Sequence, residues 1–316
     1  MINNIDITVS ICTWNNADRL NITLNNLSKC IVPKSIKWEL LIVNNNSTDD
    51  TNEIIKNHVN QLPLRVVMEK QQGISYARNT AVNEAKGDFI LFTDDDTDPC
   101  VNWIQLYWNK FKNNPDQFYG GPIISDFEKN LIINDLYWLY PSSVIGFSLG
   151  NIDRAINTDE AFLGANWGFA KNIFNKVGGF NNQYGLNARH FSYMVGEETD
   201  LMKRMQMNGY YGYYISDAIV RHFVPEDKCG IEYFLKRARA YGIEQVLIDN
   251  KFNISSYNKI YILYYKILLK YAYYRALNKI FLAHNTKYYK LLYGLEINKG
   301  RIEALKYLIH KNMDHL

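Results

Sequence analysis

The feature that most constrains this sequence is a fourfold alternation of apolar runs and amphipathic segments before residue 97. The apolar runs predict four buried strands, at 7–14 (ITVSICTW), 38–45 (WELLIVNN), 64–69 (LRVVME) and 88–96 (DFILFTDDD). The segments between them predict three helices, at 18–27, 51–59 and 74–85. Because the connections are short, this order is typical of an α/β fold with a mainly parallel sheet flanked by helices.

The composition excludes several other classes of protein. Of the 316 residues, 47% are hydrophobic and only 18 are Gly and 7 are Pro, which rules out a disordered or collagen-like chain. The four cysteines form no CxxC pair, which favours reduced cytosolic thiols over a disulfide framework or a zinc site. The start, MINNIDITVS, lacks the pattern of a signal peptide, and the longest charge-free stretch is too short and too broken to span a bilayer. We therefore expect a cytoplasmic protein.

Charge divides the chain near residue 250. Residues 251–316 contain 12 Lys and Arg against 3 Asp and Glu, a net charge of +9, and 11 of the 24 tyrosines. The first 250 residues contain 23 Lys and Arg against 29 Asp and Glu, a net charge of −6. We therefore predict an acidic body, 1–250, and a basic, Tyr-rich helical tail, 251–316.

Polar clusters follow the second and fourth predicted strands. Parallel α/β sheets bind ligands at the carboxyl ends of their strands, so NNNSTDD and TDDDTD are candidate site segments. Asp94, Asp95 and Asp96 place three mutually repelling carboxylates at such an end. This position favours an Mg²⁺ or Mn²⁺ site that also engages substrate phosphates, over the alternative of a solvated acidic turn before Pro99.

Three other segments carry candidate site residues. Gly73 opens a helix that places Arg78 one turn in, where a guanidinium can bind phosphate unless it is simply a surface residue. No GxxxxGK[ST] or GxGxxG is present there, which weighs against NTPases and nicotinamide enzymes. Glu197 and Glu198 begin a predicted helix at 196–210, either as dipole caps or as a general base. His222 is either structural or a metal ligand.

Six segments of the body, in this order, resemble the family 2 inverting glycosyltransferases of the GT-A fold. They are VSICTWNNADRL, ELLIVNNNSTDDT, GISYARNTAVNEAKGDFILFTDDD, GANWGFAKNIFNKVGGFN, GEETDLMKRM and HFVPEDKCGIEYFLKRARAYG. The resemblance spans about 8–242 and implies transfer of a sugar from a nucleoside diphosphate donor to an acceptor hydroxyl, with inversion at the anomeric carbon. It also implies a nucleotide-sugar half, about 1–120, and an acceptor half, about 121–250.

The resemblance assigns nucleotide-binding roles to residues of the first half. Thr13 and Asn15 are expected to line the nucleoside pocket. Asn45 stands where family members often have an acidic residue that touches the base. Arg78 corresponds to an arginine on the diphosphate side.

The resemblance also implies a metal site. Asp94 and Asp96 match the outer residues of a DxD motif, the first near the ribose and the metal and the second on the metal. Asp95 can substitute in either role. His222 matches a histidine that completes the metal or pyrophosphate contacts in some members. The implied cofactor is Mn²⁺ or Mg²⁺, and the implied donor is a nucleoside diphosphate sugar, with a UDP-sugar favoured.

The remaining roles concern the acceptor side. Asn166 and Trp167 resemble contacts to the donor sugar or the acceptor, which is expected to be a glycan or a lipid-linked molecule. Glu197 and Glu198 stand where the family commonly has a Glu-Asp pair. Because the family pattern places the base second, Glu198 is the predicted base, and Glu197 caps the helix or touches the acceptor. The alternative function is a non-catalytic nucleotide-sugar or glycan-binding protein with a degenerate site.

The tail supports two interpretations. On a helical wheel Lys259, Lys266 and Lys270 share a face while Arg275 and Lys279 lie nearly opposite, which predicts two helices or a kink near Tyr273. Residues 256–316 either attach peripherally to the anionic inner face of a membrane or pack on the body or on another protomer of a homo-oligomer. Nucleic-acid binding is not predicted, because the tail has no recognised reader motif.

Overall fold

The computed structural model describes residues 5–131, 134–185, 196–248, 257–278 and 286–313, which form two compact units. The first unit contains the described residues of Met1–Asp126, Gly146–His190 and Glu197–Phe223. The second contains those of Phe127–Ile145, Phe191–Gly196 and Val224–Leu316. The predicted boundary near residue 120 between the nucleotide-sugar and acceptor halves, and the one near residue 250 between body and tail, stay predictions.

The strands and helices of the described residues are numbered in chain order. The strands are β1 (Ile5–Thr13), β2 (Trp38–Asn44), β3 (Leu64–Met68), β4 (Gly87–Asp94), β5 (Thr97–Pro99), β6 (Gln117–Gly120), β7 (Ile123–Phe127), β8 (Arg154–Ala155), β9 (Trp167–Ala170), β10 (Tyr211–Tyr214) and β11 (Val220–Val224). The helices are α1 (Ala17–Leu27), α2 (Thr51–His58), α3 (Ile74–Glu84), α4 (Trp103–Phe111), α5 (Ser142–Ile145), α6 (Lys171–Val177), α7 (Glu197–Met207), α8 (Glu226–Cys229), α9 (Ile231–Leu247), α10 (Tyr257–Asn278) and α11 (Thr286–Met313), with a 3₁₀ helix at Asn134–Leu139.

The first unit is built on a mixed sheet of order β3-β2-β1-β4-β9-β6-β10-β8. Strands β3, β2, β1 and β4 pair in parallel, and β9 runs antiparallel between β4 and β6. β1 is buried on both faces along most of its length, which is why its sequence is a nearly continuous apolar run. The predicted α/β fold, with a mainly parallel sheet flanked by helices, is confirmed.

The register of the central strands brings their carboxyl ends to one edge. Thr13 pairs with Asn44, and Cys12 pairs with Asp94, so β1, β2 and β4 end side by side. The fourth strand is shorter than the sequence indicated, because it ends at Asp94 rather than at residue 96. The chain turns there and enters β5, which pairs antiparallel with β11 and sets Thr97 opposite His222. This pairing places His222, which is distant in the sequence, next to the acidic turn.

The second unit is helical, as predicted for the tail. α11 packs against α9 closely enough that a Cβ on Gly300 would lie 2.0 Å from the carbonyl oxygen of Arg239, and a Cβ on Gly242 would lie 2.1 Å from that of Ile297. Arg239 also forms an ion pair with Glu303. The prediction of two tail helices is confirmed, and α10 continues past Tyr273 to Asn278. Lys279 lies outside the described residues.

None of the helices among the described residues combines the length and the apolar character needed to cross a bilayer.

Candidate active site

Two carboxylates and one imidazole converge at the end of β4. Asp94 is its last residue, Asp96 follows in the turn, and His222 lies on β11. The Nε2 atom of His222 is 3.2 Å from the Oδ1 atom of Asp96, and one ligand atom from each of the three residues lies within 4.8 Å of the others. Carboxylate oxygens with one imidazole form a donor set suited to Mn²⁺, and two carboxylates also suit Mg²⁺. The geometry therefore fits a divalent cation.

The middle carboxylate of the acidic turn points elsewhere. One oxygen of Asp95 accepts a hydrogen bond from the Thr13 hydroxyl (2.6 Å), and the other accepts one from the Asn16 amide (2.7 Å). Burial and the charge of Asp96 raise the pKa of Asp95 to about 7, although these two hydrogen bonds oppose the shift. Asp95 thus ties the acidic turn to the loop after β1, and the two outer aspartates are the ones that face His222.

Arg78 connects the acidic turn to the glutamate pair. From α3, its buried guanidinium places Nη2 3.7 Å from Asp94 Oδ1 and Nη1 3.0 Å from Glu198 Oε1, and it also pairs with Glu197. Burial by itself lowers the pKa of Arg78, but the charges of Glu198, Glu197 and Asp94 outweigh burial and raise it. The guanidinium is therefore a fixed positive charge within a buried anionic cluster.

The two glutamates differ in environment although they are neighbours at the start of α7. The side chain of Glu197 is 4% exposed and that of Glu198 is 17% exposed. Burial and the charge of Glu198 raise the pKa of Glu197 to about 8. Burial also acts to raise the pKa of Glu198, but the charge of Arg78 and the hydrogen bonds that the carboxylate accepts together outweigh burial, and the net shift is downward. The shifts have opposite directions, so Glu198 is the carboxyl that ionises more readily and Glu197 the one that retains a proton more readily.

Gly164, which sequence reasoning did not single out, makes the contact between Arg78 and Glu198 possible. A Cβ on Gly164 would lie 2.1 Å from Arg78 Nη2 and 2.5 Å from Glu198 Oε1. Any side chain there would push the guanidinium away from the base candidate. Gly164 lies in the segment GANWGF, but nothing in a single sequence distinguishes it from a turn glycine.

The residues predicted to line the nucleoside pocket lie in neighbouring loops at the same sheet edge. Asn15 is exposed in a left-handed conformation (φ 50°), and its side chain accepts a hydrogen bond from the Thr48 amide (2.7 Å), which joins the loops after β1 and β2. Asn45 is buried, donates to the carbonyl oxygen of Gln71 (2.7 Å) and accepts from the Gly73 amide (2.9 Å). The structure thus gives Asn45 a role in holding the start of α3, and its contact with a base stays a prediction.

The loop after β1 offers two further residues that the sequence-based reasoning missed. Trp14, between Thr13 and Asn15, has 47% of its surface exposed. Asn16 holds Asp95. An exposed indole beside polar groups is a surface on which a planar base can stack. The signal in the sequence was a Trp directly after a buried strand.

Asn166 and Trp167 lie in the core rather than at the surface. Both are fully buried. The Asn166 amide donates to the carbonyl oxygens of Pro122 and Ala218 and accepts from Trp103 Nε1 and Tyr107 Oη. These bonds use the full capacity of the amide, so Asn166 is a structural link in the core. The predicted sugar contact of these two residues stays a prediction without support in this geometry.

Comparison with known proteins shows that a family match covers the part of the chain that contains Arg78 and the acidic turn. The model of the family described as "Glycosyl transferase family 2" matches residues 8–178. The glucosyl-dolichyl phosphate glucuronosyltransferase of Haloferax volcanii is 24% identical over 186 residues, 57% of either chain. The glycosyltransferase AglE of the same organism is 34% identical over 119 residues, 37% of this chain and 39% of AglE. The chain therefore spans only about two fifths to three fifths of the length of these curated relatives.

Solved structures share the fold across nearly the whole chain, which confirms the predicted GT-A fold. Residues 1–349 of Staphylococcus aureus TarS, in complex with UDP-GlcNAc, align over 98% of this chain and 92% of that one, with a TM-score of 0.56 and 16% identity. The mannosyltransferase PcManGT from Pyrobaculum calidifontis, in complex with GDP-Man and Mn²⁺, aligns over 99% of this chain and 76% of that one, with a TM-score of 0.51 and 16% identity.

Proposed function

This chain belongs to glycosyl transferase family 2, and we propose that it transfers a sugar from a nucleoside diphosphate sugar to an acceptor hydroxyl, with inversion at the anomeric carbon. The observation that carries the proposal is the position of Arg78 between Asp94 of the acidic turn and the Glu197–Glu198 pair. This arrangement brings a cation-binding group and a candidate base to a single buried guanidinium. An inverting transfer in one step needs these two functions.

The acidic turn is the proposed metal site. Asp94, Asp96 and His222 would hold Mn²⁺ or Mg²⁺, which when bound would neutralise the diphosphate of the donor and of the leaving group. Burial and the charge of Asp96 raise the pKa of Asp94, although Arg78 opposes the shift. A bound cation would stabilise the ionised carboxylate, so the raised pKa supports a metal ion at this turn. Arg78 contributes a second, permanent positive charge on the diphosphate side.

Glu198 is the proposed general base. Its lowered pKa keeps the carboxylate ionised at neutral pH, and it is the more exposed of the pair. The acceptor oxygen forms a bond to the anomeric carbon, the bond from that carbon to the diphosphate oxygen breaks, and the acceptor proton passes to Glu198. The nucleoside diphosphate leaves with the electron pair. Glu197 is more deeply buried, has a raised pKa and keeps Arg78 in place.

The loop after β1 is the proposed nucleoside site. Thr13, Asn15 and Asn45 define the sheet edge there, and Trp14 supplies a stacking face for the base. A UDP-sugar is the favoured donor, since related folds have been solved with UDP-GlcNAc and with UDP, although another was solved with GDP-Man. The proposed acceptor is a glycan or a lipid-linked molecule, reached at the cytoplasmic side of a membrane.

A panel of nucleotide sugars tests the proposal. The full chain is incubated with UDP- and GDP-sugars, in the presence of Mn²⁺ or of EDTA, and release of the nucleoside diphosphate is measured. We expect release from at least one UDP-sugar, dependent on the cation. Tight donor binding by calorimetry without any release, also in the presence of acceptor glycans, would instead favour the alternative of a non-catalytic nucleotide-sugar-binding protein.

A further inference from the structure

Helix α10 has two apolar faces, and the described residues cover only one of them. Ile260 and Ile267 are buried on one side, where α10 packs against α11 within the second unit. On the opposite side a stripe of large apolar side chains is exposed by 56–74% of its surface. This exposed stripe consists of Ile262, Tyr265, Leu269 and Tyr273.

The stripe runs straight along the helix. Its members follow one another at intervals of three or four residues, which places them within one sector of the helical wheel. Exposed apolar residues scattered singly need no explanation, but a continuous row of four on one helix does. The row also explains why the sequence shows no single amphipathic face.

Positive charge flanks the stripe on one side. Lys259, Lys266 and Lys270 are exposed along one edge of it, and Lys270 also lies over the ring of Tyr274. α10 contains no acidic residue. Apart from the neutral amide of Asn258, the exposed face therefore consists of aliphatic groups, tyrosine rings and cations.

We propose that the exposed stripe of α10 and its three lysines form a docking surface for an anionic lipid bilayer. Aliphatic side chains can enter the acyl boundary, tyrosine rings favour the interfacial layer, and lysines reach the anionic headgroups beside it. A second copy of the same face fits less well, because pairing two such faces places lysines near lysines without any acidic partner. The helix lies along the surface of the bilayer in this arrangement. The proposal does not rest on the proposed function.

Flotation of the full chain with vesicles tests this surface. Two vesicle types are compared, phosphatidylcholine alone and phosphatidylcholine with a large share of phosphatidylglycerol. We expect the protein to float only with the anionic vesicles and to be released by high salt, because salt screens the lysines. Failure to bind anionic vesicles at low salt would overturn the proposal.

Matched variants separate this face from the diffuse charge of the tail. Lys266→Glu with Lys270→Glu changes α10, and Lys287→Glu with Lys306→Glu makes the same change of charge at exposed positions of α11. Since each lysine near an anionic surface is worth about five-fold in partition, we expect the α10 pair to lower binding by roughly 25-fold or more. The α11 pair should lower it clearly less. Equal losses would mean diffuse attraction by the whole tail and would overturn the assignment to α10.

The apolar part of the surface needs its own variant. Leu269→Ser removes the most exposed side chain of the stripe and should lower partition roughly ten-fold, whereas Ile152→Ser, a similarly exposed apolar residue of the first unit, should leave it unchanged. Thermal unfolding of each variant shows that it is folded. If the protein without lipid is a dimer that Leu269→Ser disperses, while flotation is unaffected, the stripe is a self-association surface and the proposal is wrong.

Discussion

The candidate site and helix α10 both contain several charged side chains, but these are buried and paired at the site and exposed on the helix. At the site Arg78, Glu197 and Glu198 are desolvated and in direct contact, and each pKa depends on its neighbours. On α10 the lysines are exposed, with no acidic residue on the helix. Desolvated charges are arranged for chemistry, because their interactions are strong and specific. Solvated charges attract a surface over a distance without fixing any one geometry.

The largest effect is expected at the base. Glu198→Gln keeps the shape of the side chain but cannot accept a proton, so transfer should fall roughly 10²–10⁴-fold while donor binding is retained. Glu197→Gln is the matched control and should cost less, because burial and the charge of Glu198 raise the pKa of Glu197 and so favour its neutral form. Transfer rates and donor calorimetry measure both quantities. The reverse ranking would move the base to Glu197, and near-normal transfer by both variants would exclude a base at this pair.

The pH profile distinguishes the two glutamates without any mutation. A general base is active only when deprotonated, so kcat/KM rises with pH through the pKa of the base. Because the pKa of Glu198 is lowered, a base at Glu198 predicts a profile without a rise between about pH 6 and pH 9. A base at Glu197, whose pKa is raised to about 8, predicts a rise through that pH.

The next largest effect is expected at the metal site. Asp96→Ala removes one of the three convergent ligands, so nucleoside diphosphate affinity with Mn²⁺ should fall by at least roughly 10–100-fold, the loss that follows when only a partner of a metal ligand is removed. Affinity in EDTA should not change. Isothermal calorimetry with UDP measures both conditions. Equal affinity of the unaltered protein in Mn²⁺ and in EDTA would contradict a metal-assisted site.

A smaller effect is expected where no functional group is lost. Gly164→Ala introduces a Cβ that would lie 2.1 Å from Arg78 Nη2, so the guanidinium must shift and transfer should fall roughly ten- to 100-fold. Gly230→Ala is the control, since its Cβ would meet nothing closer than 3.8 Å. Steady-state kinetics and thermal unfolding are compared for the two variants. If Gly164→Ala retains full activity, the contact between Arg78 and Glu198 is dispensable.

The smallest effects are expected on stability in the tail, and they separate α11 from α10. Gly300→Ala pushes a Cβ against the backbone of Arg239 and should destabilise the second unit by about 1–3 kcal/mol. Gly294→Ala, on the same helix, faces the ring of Tyr274 and should be tolerated. Leu269→Ser on the exposed face of α10 should change stability by no more than about 0.5 kcal/mol. Denaturant unfolding measures all three, and a large loss for Leu269→Ser would show that its face is covered.

The sequence by itself determined the elements of the first unit and the polar residues at their ends. Strand periods, β-branched runs and turn residues are local patterns, so β1 to β4 and the helices between them lie within a few residues of their predicted bounds. Parallel pairing then requires their carboxyl ends to share an edge. This is why the sequence alone was enough to expect Thr13 and Asp94 at the same edge of the sheet.

Only the tertiary structure decided which side chains meet. Arg78 and Glu197 are 119 residues apart in the chain, and His222 reaches Asp96 only because β11 pairs with β5. The burial of Asn166, the gap left by Gly164 and the second apolar face of α10 depend on neighbours that no local pattern names. Local periodicity indicates which side of a helix or strand is buried. The pKa values and contacts of a site instead depend on atoms that long-range packing brings within a few ångströms of one another.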